Sequence, residues 1–196
     1  MRLNEWLALF KKYREKKILS FRHLELFSSH NRHALRVALK RLTDKGVIQR
    51  ISRGFYANPF NLPSLEEISA EIYRPSYISL ESALSRFGIL SQIPLVLTCV
   101  TTRNTRTFST SLGTIQYQRI QKKYFFGYQN QAGYSIADPE KAVLDFLYFH
   151  KQSESKSHIS DWNLRSLDSK KLKSYAKQMK LYWPFATGSR TNRGEF

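Results

Sequence analysis

The sequence predicts an α+β protein built as two domains, and three observations predict it. Helical periodicity dominates the first 45 residues. Short β-branched and aromatic runs dominate residues 95–137. Charge is divided unevenly along the chain. With 196 residues, 41% of them hydrophobic and 14% aromatic, the chain can build a core. Its net charge is +17: residues 1–60 carry 14 Lys or Arg against 4 Asp or Glu, residues 61–150 carry 8 against 7, and residues 151–196 carry 10 against 4. A basic head, a near-neutral middle and a basic tail point to a polyanion-binding surface made by the two ends.

In chain order, residues 4–16 predict a first helix with Asn4 as N-cap and Trp6, Leu7, Leu9, Phe10 and Tyr13 apolar. Ser20 opens a short second helix over Phe21 to Phe27, burying Leu24 and Phe27. A polar turn, Ser28 to Asn31, precedes "NRHALRVALKRL". There Leu35, Ala38, Leu39 and Leu42 recur at i, i+3, i+4 and i+7, the spacing of one helix face. Arg32, Arg36 and Lys40 recur at i, i+4 and i+8 on another face. The helix is expected to end near Lys45, before Gly46. "VIQRI" and "FYA" predict two strands joined by "SRG", with Gly54 free to take positive φ. Helix, helix, turn, helix, hairpin is the order of a winged helix-turn-helix, whose third element enters a DNA groove and whose hairpin is the wing.

"NPFNLPS" (58–64) reads as a linker, with two prolines in seven residues. Ser64 with Glu67 predicts a capped helix through about Tyr73, and Ser79 caps another that ends at Gly88. "LVLTCVTT", "RTFST", "TIQYQRI", "YFFGY" and "YSIA" read as strand-forming runs. "DPEKAVLDFLYFH" and "DSKKLKSYAKQM" return to helix. The expected division is a winged-helix domain over 1–60, a mixed α/β domain over 61–186, and a tail over 187–196. Residues 1–60 are expected to fold and bind DNA weakly alone, and 61–186, with its near-neutral middle, to fold and not bind at moderate salt.

The chain's single cysteine, Cys99, cannot form an internal disulfide and reads as a buried structural thiol. The N-terminus lacks the pattern of a signal peptide, and the most apolar window, Gly88 to Val100, is too short to span a bilayer. A soluble cytoplasmic protein is expected. The five histidines (23, 30, 33, 150 and 158) lack zinc-ligand spacing, and no phosphate-cradling glycine loop is present, so no cofactor is expected.

The candidate DNA-binding residues are Ser29, Asn31, Arg32, His33, Arg36, Lys40 and Arg53. Arg32, His33 and Arg36 sit in the first turns of the third helix, where side chains reach base edges, and Lys40 is expected at phosphate. Ser29 and Asn31 read as helix caps or phosphate ligands, and Arg53 as a contact from the wing tip. Lys11, Lys12, Lys16 and Lys17 are flanking phosphate candidates. Asp138, Glu140 and Asp145, with Lys141, also admit a metal-dependent nuclease delivered by its winged helix. Against it, Asp138-Pro139 reads as a helix start, with Glu140 favoured by the helix dipole.

"RGFYANP", "PSYISLESALSRFGIL", "TCVTTRNTRTFSTSLGTIQYQRI", "YFFGY" and "ADPEKAVLDFLY" together resemble the AbiEi-type antitoxins, predicted transcriptional regulators of viral defence from type IV abortive-infection toxin–antitoxin systems. The likeness covers roughly residues 20–150 as ordered blocks. It implies a winged-helix domain followed by an α/β antitoxin domain, and a repressor, not an enzyme, acting on its own operon through inverted repeats in double-stranded DNA. It also implies a nucleotidyltransferase-like toxin as a functional partner without a stable complex. The family contains solitary regulators as well.

Overall fold

The computed structural model describes residues 1–150 and 162–181. The expected tail, the end of the expected second domain and His158 lie outside the described residues. Among those residues the protein is mixed α+β, with seven α-helices and two sheets. Met1–Arg74 together with Thr107–Ile115 form one compact unit. Pro75–Arg106 and the described residues from Gln116 onward form a second. Residues 61–74, expected in the second domain, fall in the first unit.

The first unit opens with helix α1 (Leu3–Lys12), strand β1 (Ile18–Ser20), helix α2 (Phe21–Ser28) and helix α3 (Arg32–Asp44). Strands β2 (Gln49–Ser52) and β3 (Phe55–Ala57) and helix α4 (Leu65–Ile72) follow. The small sheet is antiparallel in the order β1-β3-β2, pairing Leu19 with Tyr56 and Arg50 with Tyr56, with a bulge between Arg50 and Ser52. Trp6, Phe10, Leu19, Leu24, Leu35 and Leu39 form the centre of a core that Ala38, Phe21 and Phe27 partly cover. This core is the reason for the apolar row of α3.

Two expectations fail at α1. Arg2, not Asn4, is its N-cap, with the Glu5 carboxylate accepting from the Arg2 N–H at 3.0 Å. The helix also stops at Lys12, not residue 16. Asn58 is fully buried and its side-chain amide donates to the carbonyls of Phe10 (3.1 Å) and Tyr13 (3.0 Å), satisfying acceptors that a helix end leaves open. "NPFNLPS" is therefore anchored chain at Asn58 and not a free linker.

The second unit contributes strand β4 (Ser76–Ile78), helix α5 (Leu80–Arg86) and strand β5 (Leu97–Thr101). Further along the chain come β6 (Arg106–Thr110), β7 (Gly113–Arg119), β8 (Tyr128–Gln131), β9 (Tyr134–Ala137), α6 (Pro139–Phe149) and α7 (Ser169–Met179). The larger sheet has the order β6-β7-β5-β4-β9-β8. β4 runs antiparallel to β5 and parallel to β9, through Ile78 opposite Ile136.

"YFFGY" corrects the reading of that run as a strand. Lys122–Tyr124 form a 3₁₀ turn and only Tyr128 begins β8. Gly127 explains the interruption: its φ is +70°, and a Cβ there would stand 2.9 Å from the Tyr175 ring. Ser79 does start α5, but its hydroxyl makes no cap bond. Thr98 replaces it, accepting from the Ser82 N–H at 3.1 Å while donating to the Ser79 carbonyl at 2.7 Å. Among the described residues no helix is long and apolar enough to cross a membrane.

Candidate nucleic-acid interface

Helix α3 holds no Gly or Pro, and its ends are marked chemically. The Asn31 side chain accepts from the Ala34 N–H at 2.8 Å, and Gly46 follows at φ +68°. Leu35 and Leu39 are fully buried and Leu42 nearly so. Arg32, His33, Arg36 and Lys40 are exposed. So is Val37, at 37%, an apolar side chain among the cations that the periodicity argument leaves aside. Its only signal in the sequence is an apolar residue off the core stripe.

Phe21, the first residue of α2, organises this surface, although the sequence marks it only as a helix start. The guanidinium carbons of Arg32 and Arg36 lie 5.8 and 5.9 Å from its ring centroid, within cation–π range. Its N–H donates to the Gly54 carbonyl at 2.7 Å. Gly54 is the turn residue between β2 and β3, with φ +84°, and Arg53 beside it is exposed. One aromatic residue thus links two candidate arginines of α3 to the backbone of the hairpin tip, where Arg53 sits. Arg32 also approaches Glu25 at 4.0 Å, an exposed pair of little energetic weight.

The remaining candidates separate. Ser29 is exposed and takes left-handed φ (+52°), closing α2, so its part is to turn the chain toward Asn31. Asn31 is the cap. Lys11, Lys12 and Lys16 are exposed, whereas Lys17 pairs with Glu67 at 2.7 Å. His30 Nδ1 lies 2.8 Å from the Ser28 carbonyl, and its ring packs 5.5 Å from Trp6.

The acidic cluster does not converge. Asp145 and Lys141 are fully buried on α6, ion-paired to each other. The other Asp145 oxygen accepts from Tyr77 at 2.9 Å and from Ser79 at 2.8 Å, and Lys141 donates to Tyr77 at 3.0 Å. Burial pushes the Asp145 carboxyl up and the Lys141 ammonium down, each opposed by its partner, and burial foremost holds the Tyr77 phenol well above its usual value. Asp138 is the N-cap of α6 by backbone, with Pro139 at the first helical position. Its carboxylate is spent on Gln129 (2.8 Å), Tyr175 (3.0 Å) and Lys171 (3.1 Å). Glu140 accepts from the Asp168 N–H at 2.8 Å. Among the described residues no group of three or more His, Cys, Asp or Glu is arranged to hold a metal ion. Cys99 is buried on β5.

The chain matches no model of a known protein family, and no curated protein matches it.

Proposed function

We propose that residues 1–60 form a winged-helix module that binds double-stranded DNA, α3 entering the major groove and the β2–β3 hairpin serving as wing. The observation that carries this reading is the Phe21 junction, which holds Arg32, Arg36 and the hairpin tip together on an exposed face. Guanidinium groups in the first turns of a helix suit guanine O6 and N7, and Val37 suits a thymine methyl. Lys40, two turns in, suits phosphate. The +10 balance of residues 1–60 supplies attraction that needs no particular sequence.

Through the resemblance of residues 20–150 to AbiEi-type antitoxins, the reading extends to a repressor of its own operon. It extends further to a type IV antitoxin countering a nucleotidyltransferase-like toxin. Binding to duplex DNA from upstream of its own gene tests the first step. With about 4–7 phosphate contacts per protomer, raising salt from ~50 to ~200 mM weakens binding by roughly two to four decades. A salt-insensitive affinity refutes it. Co-expression with the neighbouring gene, scored as rescue of growth, tests the second step.

A further inference from the structure

The near-neutral balance of residues 61–150 conceals a separation between inside and outside. No Asp or Glu occurs between Glu81 and Asp138, whereas six Arg or Lys do. The three acids that follow, Asp138, Glu140 and Asp145, are all buried and all committed to donors within the second unit. Their charge does little for the outer surface, which is left basic.

Five of those six cations meet at one end of the sheet. The Ile120 N–H donates to the Thr101 carbonyl at 2.8 Å, and the Arg119 N–H to Thr105 Oγ1 at 3.1 Å. Arg119 Nη1 reaches Asn104 Oδ1 at 3.4 Å. These bonds lay the turn after β5 against the segment that leaves β7. Arg103, Arg106, Arg119, Lys122 and Lys123 are all on this end of the unit, and all five are exposed. The frame beneath is ordered: Thr101 Oγ1 donates to the Pro75 carbonyl at 2.7 Å and accepts from the Arg103 N–H at 3.2 Å. Lys123 Nζ sits 4.8 Å from the ring of Tyr124, which is buried.

Cations interleaved with exposed Asn104 and Thr105, in a stretch of sequence without Asp or Glu, match the donors that contact sugar–phosphate backbone. The aromatic ring at this place is buried, so no platform is offered for stacking the bases of a single strand. We propose that Arg103, Arg106, Arg119, Lys122 and Lys123 form a second nucleic-acid surface that holds the phosphate backbone of a duplex without reading its sequence. This surface does not depend on the role given to α3.

The test uses the full chain and a random-sequence duplex of about 25 base pairs, as DNA and as RNA. Binding is followed across a salt series in an R32A/R36A background, with each fold checked by circular dichroism. R103A/R106A/R119A should lower the salt slope by about 2.7, so that the affinity lost between ~50 and ~200 mM salt shrinks by roughly 40-fold. K122A/K123A, which removes none of the bonds framing the turn, should lower it by about 1.8. K173A/K177A/K180A, exposed lysines of α7 and its cap with the same loss of charge as the triple arginine variant, should leave the slope unchanged.

Binding of both duplexes supports the proposal, and binding of one alone supports it and names the source of the backbone. The proposal is overturned if the sheet variants keep the background slope, or if the α7 variant lowers it equally. It is also overturned if polyglutamate of matching charge binds as tightly as the duplexes, which would make this a surface for acidic protein. Should R32A/R36A by itself leave DNA binding intact, the α3 reading fails and this one stands.

Discussion

The Phe21 N–H donates to the Gly54 carbonyl at 2.7 Å, fastening the start of α2 to the tip of the β2–β3 hairpin. The same residue's ring stands within 6 Å of two arginine head groups of α3. Backbone and side chain of one residue therefore tie hairpin and helix into a single surface. Arginine side chains lose much rotamer freedom on binding, and a ring that already orders them lowers that loss.

Phe21→Leu separates the two parts. It keeps the N–H and most of the apolar volume but removes the π face, so the thermal midpoint should change little. DNA affinity should fall about 5- to 30-fold, from two exposed cation–π contacts of ~0.5–1 kcal/mol each. An unchanged affinity with a lowered midpoint would make Phe21 a packing residue only.

Arg36 and Lys40 should differ in kind. Arg36→Ala should cost about 1–3 kcal/mol on an operator and little on random DNA, flattening preference at one position per half-site. Lys40→Ala should weaken all sequences alike and lower the salt slope by about one. Titrations on operator and scrambled duplexes measure both. Identical behaviour of the two variants removes α3 from the role of reading element.

The buried pair on α6 predicts a non-additive response. Lys141→Met leaves the Asp145 carboxylate buried without its cation and should destabilise by ~3–5 kcal/mol. Adding Asp145→Asn removes the orphaned charge while leaving an oxygen to accept from Tyr77 and Ser79. The double variant should therefore be more stable than Lys141→Met alone in urea unfolding. Simple addition of the two losses would show the pair to be uncoupled.

Helix α7 predicts a dependence on pH. The Asp168 carboxylate accepts from the N–H groups of Lys171 and Lys170, which hold its carboxyl below the usual range. A lowered value in the folded state means stability that is present above the ordinary carboxylate range and is lost as pH falls through the folded value. Asp168→Asn caps without titrating. The stability difference between parent and variant should then be constant near neutrality and shrink in acid, as thermal melts across pH would record.

The parts legible in the sequence are those in which one residue carries one signal. The α3 stripes, the Ser20 and Ser64 caps and the Gly46 stop are local, and they appear where the pattern puts them. β1 and β4 are three residues each, too few for an alternation to show, and neither has the glycine turn that marks the equally short β3 as half of a hairpin. α6 is legible as a helix from its length and its Pro139 start. Its burial is not, because Lys141 and Asp145 at i and i+4 have the pattern of a solvated ion pair, yet are buried with the rest of Glu140 through Phe146. The uses of Ser79, Asp138 and Asn58 depend on partners far along the chain, and no local pattern encodes them. Phe21 falls between these cases: its position at the head of α2 is legible, and its two arginines are not.

The Tyr77–Ser79–Asp145 contacts join groups 66 and 68 residues apart, which orders events during synthesis. At ~5–20 residues per second a ribosome needs roughly 3–14 s to add that much chain. Throughout that interval the two hydroxyls lack the carboxylate that later accepts from them, and α5 starts at Leu80 in left-handed φ (+58°), disfavoured for a bulky residue. The contacts that join Tyr77 and Ser79 to α6 therefore form only after α6 has been made. β4 likewise waits for its parallel neighbour β9, and an unpaired strand edge is a template for pairing with other chains.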